Sequence, residues 1–353
     1  MKVELLSREL IKPCTSTPPS LRDYPLSLVD ELSPTMNTPT ILYYPGEVQS
    51  SDTKGATSNS RCKHLKESLS NALAKFYPFA GRYMKGSYMI DCSDQGAYFV
   101  DAKVDVRLHD LIGKPKNLKV DLLNCLLPSP IGAADEVTDP LLAVQVSTFS
   151  CGGYAIAVMT SHRVADMSTT STFIKDWAIH ANILLEGVQE DHFRTFTCLE
   201  LGSFFSREEN VPSSLWNFKG NMTRGFLIAQ TLNIRERLNP PLPKDQCGNL
   251  YLFTTAQSYA GEKGVELHTL VEQLSGSVRR GLESCKMLLS LKDEGQKIVA
   301  QAFSFTNTLR EPGTLIAGIF SDWSRFPFYE ADFGWGKPIW VSTANLPIRN
   351  GTI

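Results

Sequence analysis

A histidine and an aspartate stand four residues apart in the stretch SHRVADMST, Ser161 to Thr169. The apolar run YAIAVMT before them predicts a buried strand, and the periodic pattern after them predicts a helix. Histidine suits a general base because its unperturbed pKa lies near neutral pH, and a substrate can reach the end of a buried strand. The same spacing also fits a structural role, in which Asp166 only caps the helix and His162 only ends the strand.

Other catalytic patterns are absent from the sequence. It contains no HExxH zinc helix, no GxSxG nucleophile elbow and no GxxxxGK[ST] phosphate loop. The letters DFG at Asp332–Gly334 occur without a nearby upstream HRD, a glycine-rich loop or a β3 lysine, which argues against a kinase. The eight cysteines are scattered and form no CxxC pair, so we expect neither a metal site nor disulfides, and a cytoplasmic location.

Composition narrows the possible partners. The chain has 353 residues, a formal net charge of −2 and 20% charged residues. Such a balance gives no electrostatic case for binding nucleic acid. No apolar run approaches the roughly 20 residues of a membrane-spanning helix. We therefore expect small-molecule partners and a globular protein without nucleic-acid or membrane contacts.

Helices and strands interleave along the chain without strict βαβ order, which predicts an α/β fold. RCKHLKESLSNALAKF predicts an amphipathic helix that ends before Pro78, and LAVQVSTFS with GYAIAVMT predicts a hairpin. A long helix is expected near 265–291, with a β-rich part from residue 300 onward. The irregular stretch 202–224 predicts a linker between a domain at 1–201 and a second domain at 225–353.

Three further blocks accompany HxxxD in a fixed order. They are LAKFYPFAGRY at 73–83, NIRERLNPPLPKDQCGN at 233–249 and ADFGWGKP at 331–338. By itself the last block reads as a tight loop with two glycines and a stiff proline. With HxxxD, however, the blocks closely resemble the signature of the plant BAHD acyltransferases over essentially the whole chain. Met167 in place of a glycine resembles the branch that acetylates alkaloids and terpenoids.

The resemblance implies two chloramphenicol-acetyltransferase-like domains, each with a mixed sheet flanked by helices. It implies a monomer that holds no permanent cofactor and takes acetyl-CoA, or another acyl-CoA, as co-substrate with a small-molecule alcohol. By the same resemblance, His162 removes the proton of the acceptor hydroxyl, and an amine acceptor is the alternative. Asp166 points away from the substrate and pairs with Arg235.

The resemblance also assigns the DFGWG segment. Asp332 is expected to be structural and to lie away from the chemistry. Gly334, Trp335 and Gly336 are expected to shape a loop on the CoA side.

Two departures from the family pattern concern the second domain. A helix and a strand that usually precede the NIRER-like strand are missing around 224–229, and the chain stops at IRNGTI. We therefore expect an incomplete second domain. The alternative function is a shortened, non-catalytic relative that binds a metabolite or a partner.

Overall fold

A computed structural model describes residues 1–46, 58–113, 120–132, 136–187, 225–259, 266–289, 292–308 and 315–344. The predicted linker at 202–224 lies outside these ranges. The strands are β1 Val3–Ile11, β2 Asp23–Pro25, β3 Asn37–Tyr44, β4 Arg82–Met84, β5 Met89–Asp91, β6 Ala97–Val104, β7 Leu142–Phe149, β8 Tyr154–Ser161, β9 Gly225–Asn233, β10 Tyr251–Tyr259, β11 Leu315–Phe320 and β12 Trp340–Ser342. The α-helices are α1 Leu28–Leu32, α2 Ser58–Lys75, α3 Leu108–Ile112, α4 Met167–Glu186, α5 Leu267–Met287, α6 Lys292–Phe303 and α7 Phe305–Thr308.

Six strands form the main sheet of the N-terminal unit, in the order β1-β6-β7-β8-β3-β12. Only β6 and β7 run parallel to each other, and the remaining neighbours are antiparallel. β8 lies inside this sheet, and all eight of its residues are buried. Helices α2 and α4 pack against each other, and Trp177 of α4 donates to Ser68 of α2. The predicted mixed sheet flanked by helices is confirmed.

A smaller sheet of the same unit has the order β2-β5-β4. The segment GSYMIDCSDQGAYFVDAKV holds two strands on either side of SDQG, and these strands, β5 and β6, belong to different sheets. The predicted β7–β8 hairpin and the helices α2 and α4 are confirmed.

The C-terminal unit contains the sheet β10-β9-β11, in which β9 pairs antiparallel with β10 and parallel with β11. Helices α5 and α6 pack on β10. Their shared core includes Leu252, Cys285, Val299 and Phe303. The segment after residue 300 is less β-rich than predicted, because α6 continues to Phe303 and α7 follows it.

Each compact unit contains a piece of chain from the other end of the sequence. The N-terminal unit comprises Met1–Pro25, Pro34–Leu199 and Phe326–Pro347, whereas Leu26–Ser33 belongs to the C-terminal unit. These units differ from the predicted domains at 1–201 and 225–353, because each unit combines pieces of chain that are far apart in the sequence. DFGWG lies in the N-terminal unit, because β12 just after it completes that unit's sheet by pairing with β3.

Among the described residues, no helix combines the length and the apolar character that crossing a membrane requires.

Candidate active site

The end of strand β8 sets the position of the histidine. The Ser161 amide donates to the Leu141 carbonyl at 2.8 Å, and the His162 amide donates to the Met36 carbonyl at 3.0 Å. The main chain at His162 is therefore held from both sides, although β8 itself ends at Ser161. The residue is half-buried. A side chain at this point combines a fixed backbone with access to solvent.

Asp166 begins helix α4. It has extended backbone angles, and its carboxylate accepts a hydrogen bond from the Thr169 amide at 2.8 Å. The Asp166 carbonyl accepts from the Thr170 amide at 2.9 Å. The residue is buried. The predicted N-cap is therefore confirmed, and the cap fixes where the helix begins after His162.

Arg235 lies in the C-terminal unit and is fully buried. Its Nε donates to the Gln246 carbonyl at 2.7 Å, and its Nη2 donates to the Gly248 carbonyl at 3.0 Å. The Asn233 side chain also accepts from Nη1, at 3.3 Å. Arg235 thus holds together the two ends of the NIRERLNPPLPKDQCGN block. Its expected pairing with Asp166 joins residues of the two units and stays a prediction.

Asp30 organises the same block but was not singled out from the sequence. Its carboxylate accepts from the amide and side chain of Asn249, at 3.0 and 2.8 Å, and from the amide and hydroxyl of Ser27, at 2.9 and 2.7 Å. Burial raises the pKa of Asp30, while the hydrogen bonds from Ser27 and Asn249 oppose that rise. The available signal was the capping-box spacing of Ser27 and Asp30 before an apolar stretch.

The DFGWG segment is a loop closed on its own aspartate. The Asp332 carboxylate accepts from the Gly334 and Gly336 amides, at 2.8 and 2.9 Å. Both glycines have positive φ, 96° and 93°, a region that side chains disfavour. Asn182 of α4 donates to the Asp332 carbonyl at 2.5 Å. The loop is therefore fixed to the C-terminal part of α4.

The two aromatic residues of this loop pack into the N-terminal unit. Phe333 is fully buried, and its ring packs edge to face with the ring of Trp177, with 4.7 Å between the centroids. Trp335 packs edge to face with His64 at 5.3 Å, and the Arg61 guanidinium lies 5.4 Å from its centroid. Burial lowers the pKa of His64, opposed by a hydrogen bond to the Ala181 carbonyl. These contacts hold the DFGWG loop against helices α2 and α4 of the N-terminal unit.

Helix α4 separates the two motifs. Asp166 caps its first turn and Asn182 holds the DFGWG loop near its last turn. Sixteen residues of helix span about 24 Å at 1.5 Å per residue. The structure thus places His162 and Asp166 at the start of α4 and the DFGWG loop, from Asp332 to Gly336, near its C-terminal end.

Within the described ranges, no group of three or more His, Cys, Asp or Glu side chains could hold a metal ion. His162 is the described side chain of this site that can transfer a proton. A neutral imidazole at a fixed strand end can accept the proton of an attacking hydroxyl or amine.

Comparison with protein families identifies the class. The model described as the Transferase family matches residues 1–187 and 219–353. The chain belongs to this family, that of the BAHD acyltransferases, and is an acyl-CoA-dependent acyltransferase.

Three relatives are similar to this chain over 90–92% of their own length. A malonyltransferase that acts on a pelargonidin glucoside in Salvia splendens is 30% identical, with 100% of this chain and 92% of the relative covered. Stemmadenine O-acetyltransferase of Catharanthus roseus is 31% identical, covering 99% and 90%. Vinorine synthase of Rauvolfia serpentina is 32% identical, covering 100% and 90%.

The crystal structure of vinorine synthase matches with a TM-score of 0.75 and 29% identity, over 99% of this chain and 90% of that one. This match confirms the predicted α/β fold. The Salvia splendens alignment extends over 401 positions, more than the 353 residues of this chain. That relative therefore has internal stretches with no counterpart here, and the departure around 224–229 stays a prediction.

Proposed function

We propose that the chain transfers an acetyl group from acetyl-CoA to a hydroxyl group of a plant alkaloid or terpenoid, with His162 as the general base. The observation that carries the proposal is the placement of His162. It follows a fully buried strand, is held by both neighbouring segments and precedes a capped helix. The protein acts as a cytoplasmic monomer in this proposal.

The proposed reaction proceeds in a ternary complex. The His162 imidazole takes the acceptor O–H proton while the oxygen attacks the thioester carbonyl carbon. The tetrahedral intermediate then collapses, the carbon–sulfur bond breaks, and the leaving thiolate takes the proton from the imidazolium. The products are the ester and free CoA, the histidine is neutral again, and no acyl-enzyme forms. Such base assistance contributes about 10²–10⁴ in rate.

The other predicted site residues act at a distance in this scheme. Asp166 holds the helix start and pairs with Arg235, so neither touches the substrate. Asp332 closes its own loop. Gly334, Trp335 and Gly336 affect acyl-CoA binding through the shape of that loop.

The choice of donor and acceptor rests on similarity to relatives. Stemmadenine O-acetyltransferase supports acetyl transfer to an alkaloid hydroxyl, whereas the Salvia splendens relative is a malonyltransferase. We therefore propose a test of purified protein with acetyl-CoA and malonyl-CoA against a panel of alkaloid and terpenoid alcohols and matched amines. Acceptor-dependent release of the CoA thiol with acetyl-CoA and an alcohol is the expected result. Turnover confined to malonyl-CoA or to amines would contradict the specific proposal.

The role of His162 has its own test. His162→Ala should lower kcat/KM by about 10²–10⁴ while the melting temperature stays unchanged. His268→Ala is the matched control, because His268 is an exposed histidine on α5. Full activity of His162→Ala with a confirmed acceptor would exclude the histidine as the base. An absence of turnover and of acyl-CoA binding in the wild type would favour the non-catalytic alternative.

A further inference from the structure

Two threonine hydroxyl groups meet beside the segment that carries His162. Thr160 lies near the end of β8, Thr170 lies in the first turn of α4, and their Oγ1 atoms are 2.8 Å apart. Both residues are fully buried. The hydrogen bond therefore joins the strand that His162 follows to the helix that Asp166 caps.

This bond has a role that the N-cap does not have. The bond from the Thr169 amide to the Asp166 carboxylate connects two residues at the same helix start. It fixes where α4 begins but does not fix the distance between α4 and β8. The hydroxyl pair spans from strand to helix, and it closes the stretch 160–170 into a loop held at its base.

The pleat of the strand relates Thr160 to the histidine. Side chains two residues apart along a strand lie on the same face, and the main chain at His162 still bonds to Met36 as a strand residue would. Thr160 is thus the preceding position on the face where His162 emerges. A shift of α4 relative to Thr160 would change the backbone between them and with it the direction of the imidazole.

We propose that the Thr160–Thr170 hydroxyl pair is a positioning element for His162. It sets the spacing between the end of β8 and the start of α4, and so holds the imidazole where it meets the acceptor hydroxyl. The inference rests on the proposed function of His162 as general base. Neither threonine touches the reacting atoms in this scheme.

Packing alone does not require these hydroxyl groups. The preceding residues on the same face of β8, Ile156 and Val158, are apolar and fully buried. Valine has nearly the shape of threonine, so it fills the same volume without the directional bond. A single Thr→Val change leaves the other hydroxyl buried without its partner, which by itself lowers stability. A loss of activity in a single variant therefore has two explanations. Replacing both threonines leaves neither hydroxyl unpaired, so the double variant tests the positioning role alone.

The first test compares steady-state kinetics. Thr160→Val and Thr170→Val should each lower kcat by about 10- to 100-fold, as expected for a small misplacement of a catalytic group. The KM values should stay unchanged, and Thr170→Ser should restore most of the rate because it keeps the hydroxyl. Thr172→Val is the matched control, since the Thr172 hydroxyl bonds only within α4 to the Ser168 carbonyl in the contacts described, at 3.0 Å.

The double variant Thr160→Val/Thr170→Val separates positioning from simple polar satisfaction. Replacing both partners by apolar groups of similar shape is nearly neutral for stability, so this variant should melt close to the wild type. Positioning predicts that its kcat stays low. Recovery of wild-type kcat in the double variant would overturn the proposal.

A second readout does not depend on turnover. The imidazole titration of His162 can be followed by NMR among the six histidines and assigned by its absence in His162→Gln. Its midpoint and chemical shift should change in the double variant and not in Thr172→Val. An unchanged titration would overturn the positioning role. If the wild type turns over no acceptor, the proposed function fails separately, and the titration still decides the role of the pair.

Discussion

The HxxxD segment at 160–170 and the DFGWG loop at 331–338 occupy opposite ends of helix α4. Both use an aspartate carboxylate to collect backbone amides, at Thr169 in one case and at Gly334 and Gly336 in the other. The two motifs differ in the burial and packing of their large side chains. His162 is half-buried at a strand end, whereas Phe333 is fully buried and Trp335 packs on Arg61 and His64.

This difference separates two kinds of motif that look alike in sequence. Each contains an aspartate and each fixes a tight piece of backbone. Only the first also presents a side chain with a proton-accepting nitrogen. Substitutions in the DFGWG loop should therefore lower stability and, through the shape of the loop, acyl-CoA binding, whereas substitution of His162 should lower the catalytic rate.

Phe333→Ala should give the largest loss of stability. Its ring is fully buried against Trp177 and Tyr44, and removal of such a ring costs about 3–5 kcal/mol in free energy of unfolding. Tyr329→Ala is the control, because Tyr329 is exposed and should cost less than about 0.5 kcal/mol. Denaturant unfolding measures both. Equal losses for the two variants would contradict the anchoring role of the loop.

Gly334→Ala and Gly336→Ala should each cost about 1–3 kcal/mol, because both glycines have positive φ. The new Cβ of Gly334 would lie 2.0 Å from Leu185 Cδ1, whereas that of Gly336 meets no atom within 4 Å. Leu185 is exposed and can rotate away, so the two losses should be similar.

Thermal melts of the two glycine variants test this expectation. A much larger loss for Gly334→Ala would show that Leu185 is held in place. An unchanged melting temperature for both would contradict the backbone strain.

Asp166→Ala should lower stability by about 0.5–2 kcal/mol through loss of the helix N-cap. Asp166→Asn should recover most of that loss, because asparagine is an equally good cap. Chemical denaturation of both variants gives the comparison. If Asp166→Asn is as unstable as Asp166→Ala, the stabilising role of Asp166 lies in its charge, as the predicted pairing with Arg235 would require.

Substitution of Asp176, in the middle of α4, should have the smallest effect on the free energy of unfolding, and this effect should depend on pH. Burial alone would raise the pKa of Asp176, but His180 and Lys75 outweigh burial and hold that pKa below its ordinary value. The Asp176 carboxylate therefore stabilises the fold above its unfolded-state pKa, and this contribution is lost as pH falls through the folded-state pKa. The stabilising contribution that is lost between neutral and acidic pH should be on the order of 1 kcal/mol in free energy of unfolding.

Urea unfolding between neutral and acidic pH measures this contribution. Asp176→Asn should show a flatter acid limb than the wild type. Glu283→Gln serves as the control, because Glu283 pairs with Lys286 on the exposed face of α5. If the stability of Asp176→Asn falls with decreasing pH as steeply as that of the wild type, this carboxylate is not a source of the pH dependence.

Local signals in the sequence determined the strand–histidine–helix segment. The apolar run up to Thr160 and the helical period after Asp166 are short-range patterns, and the N-cap depends on one residue and the amides that follow it. The four ordered blocks also identified the family. These features need only neighbouring residues, so they can be predicted without the fold.

Only the tertiary structure showed where the distant pieces pack. The sequence placed DFGWG in the second domain, but Phe326–Pro347 belongs to the N-terminal unit. The reason is that β12 pairs with β3, with Trp340 opposite Tyr43, 297 positions earlier in the chain (340 − 43). The packing of Trp335 on Arg61 and the bond between Thr160 and Thr170 are likewise invisible in local patterns. Such contacts are selected by the sum of burial and hydrogen bonding over elements far apart in sequence, which no local period records.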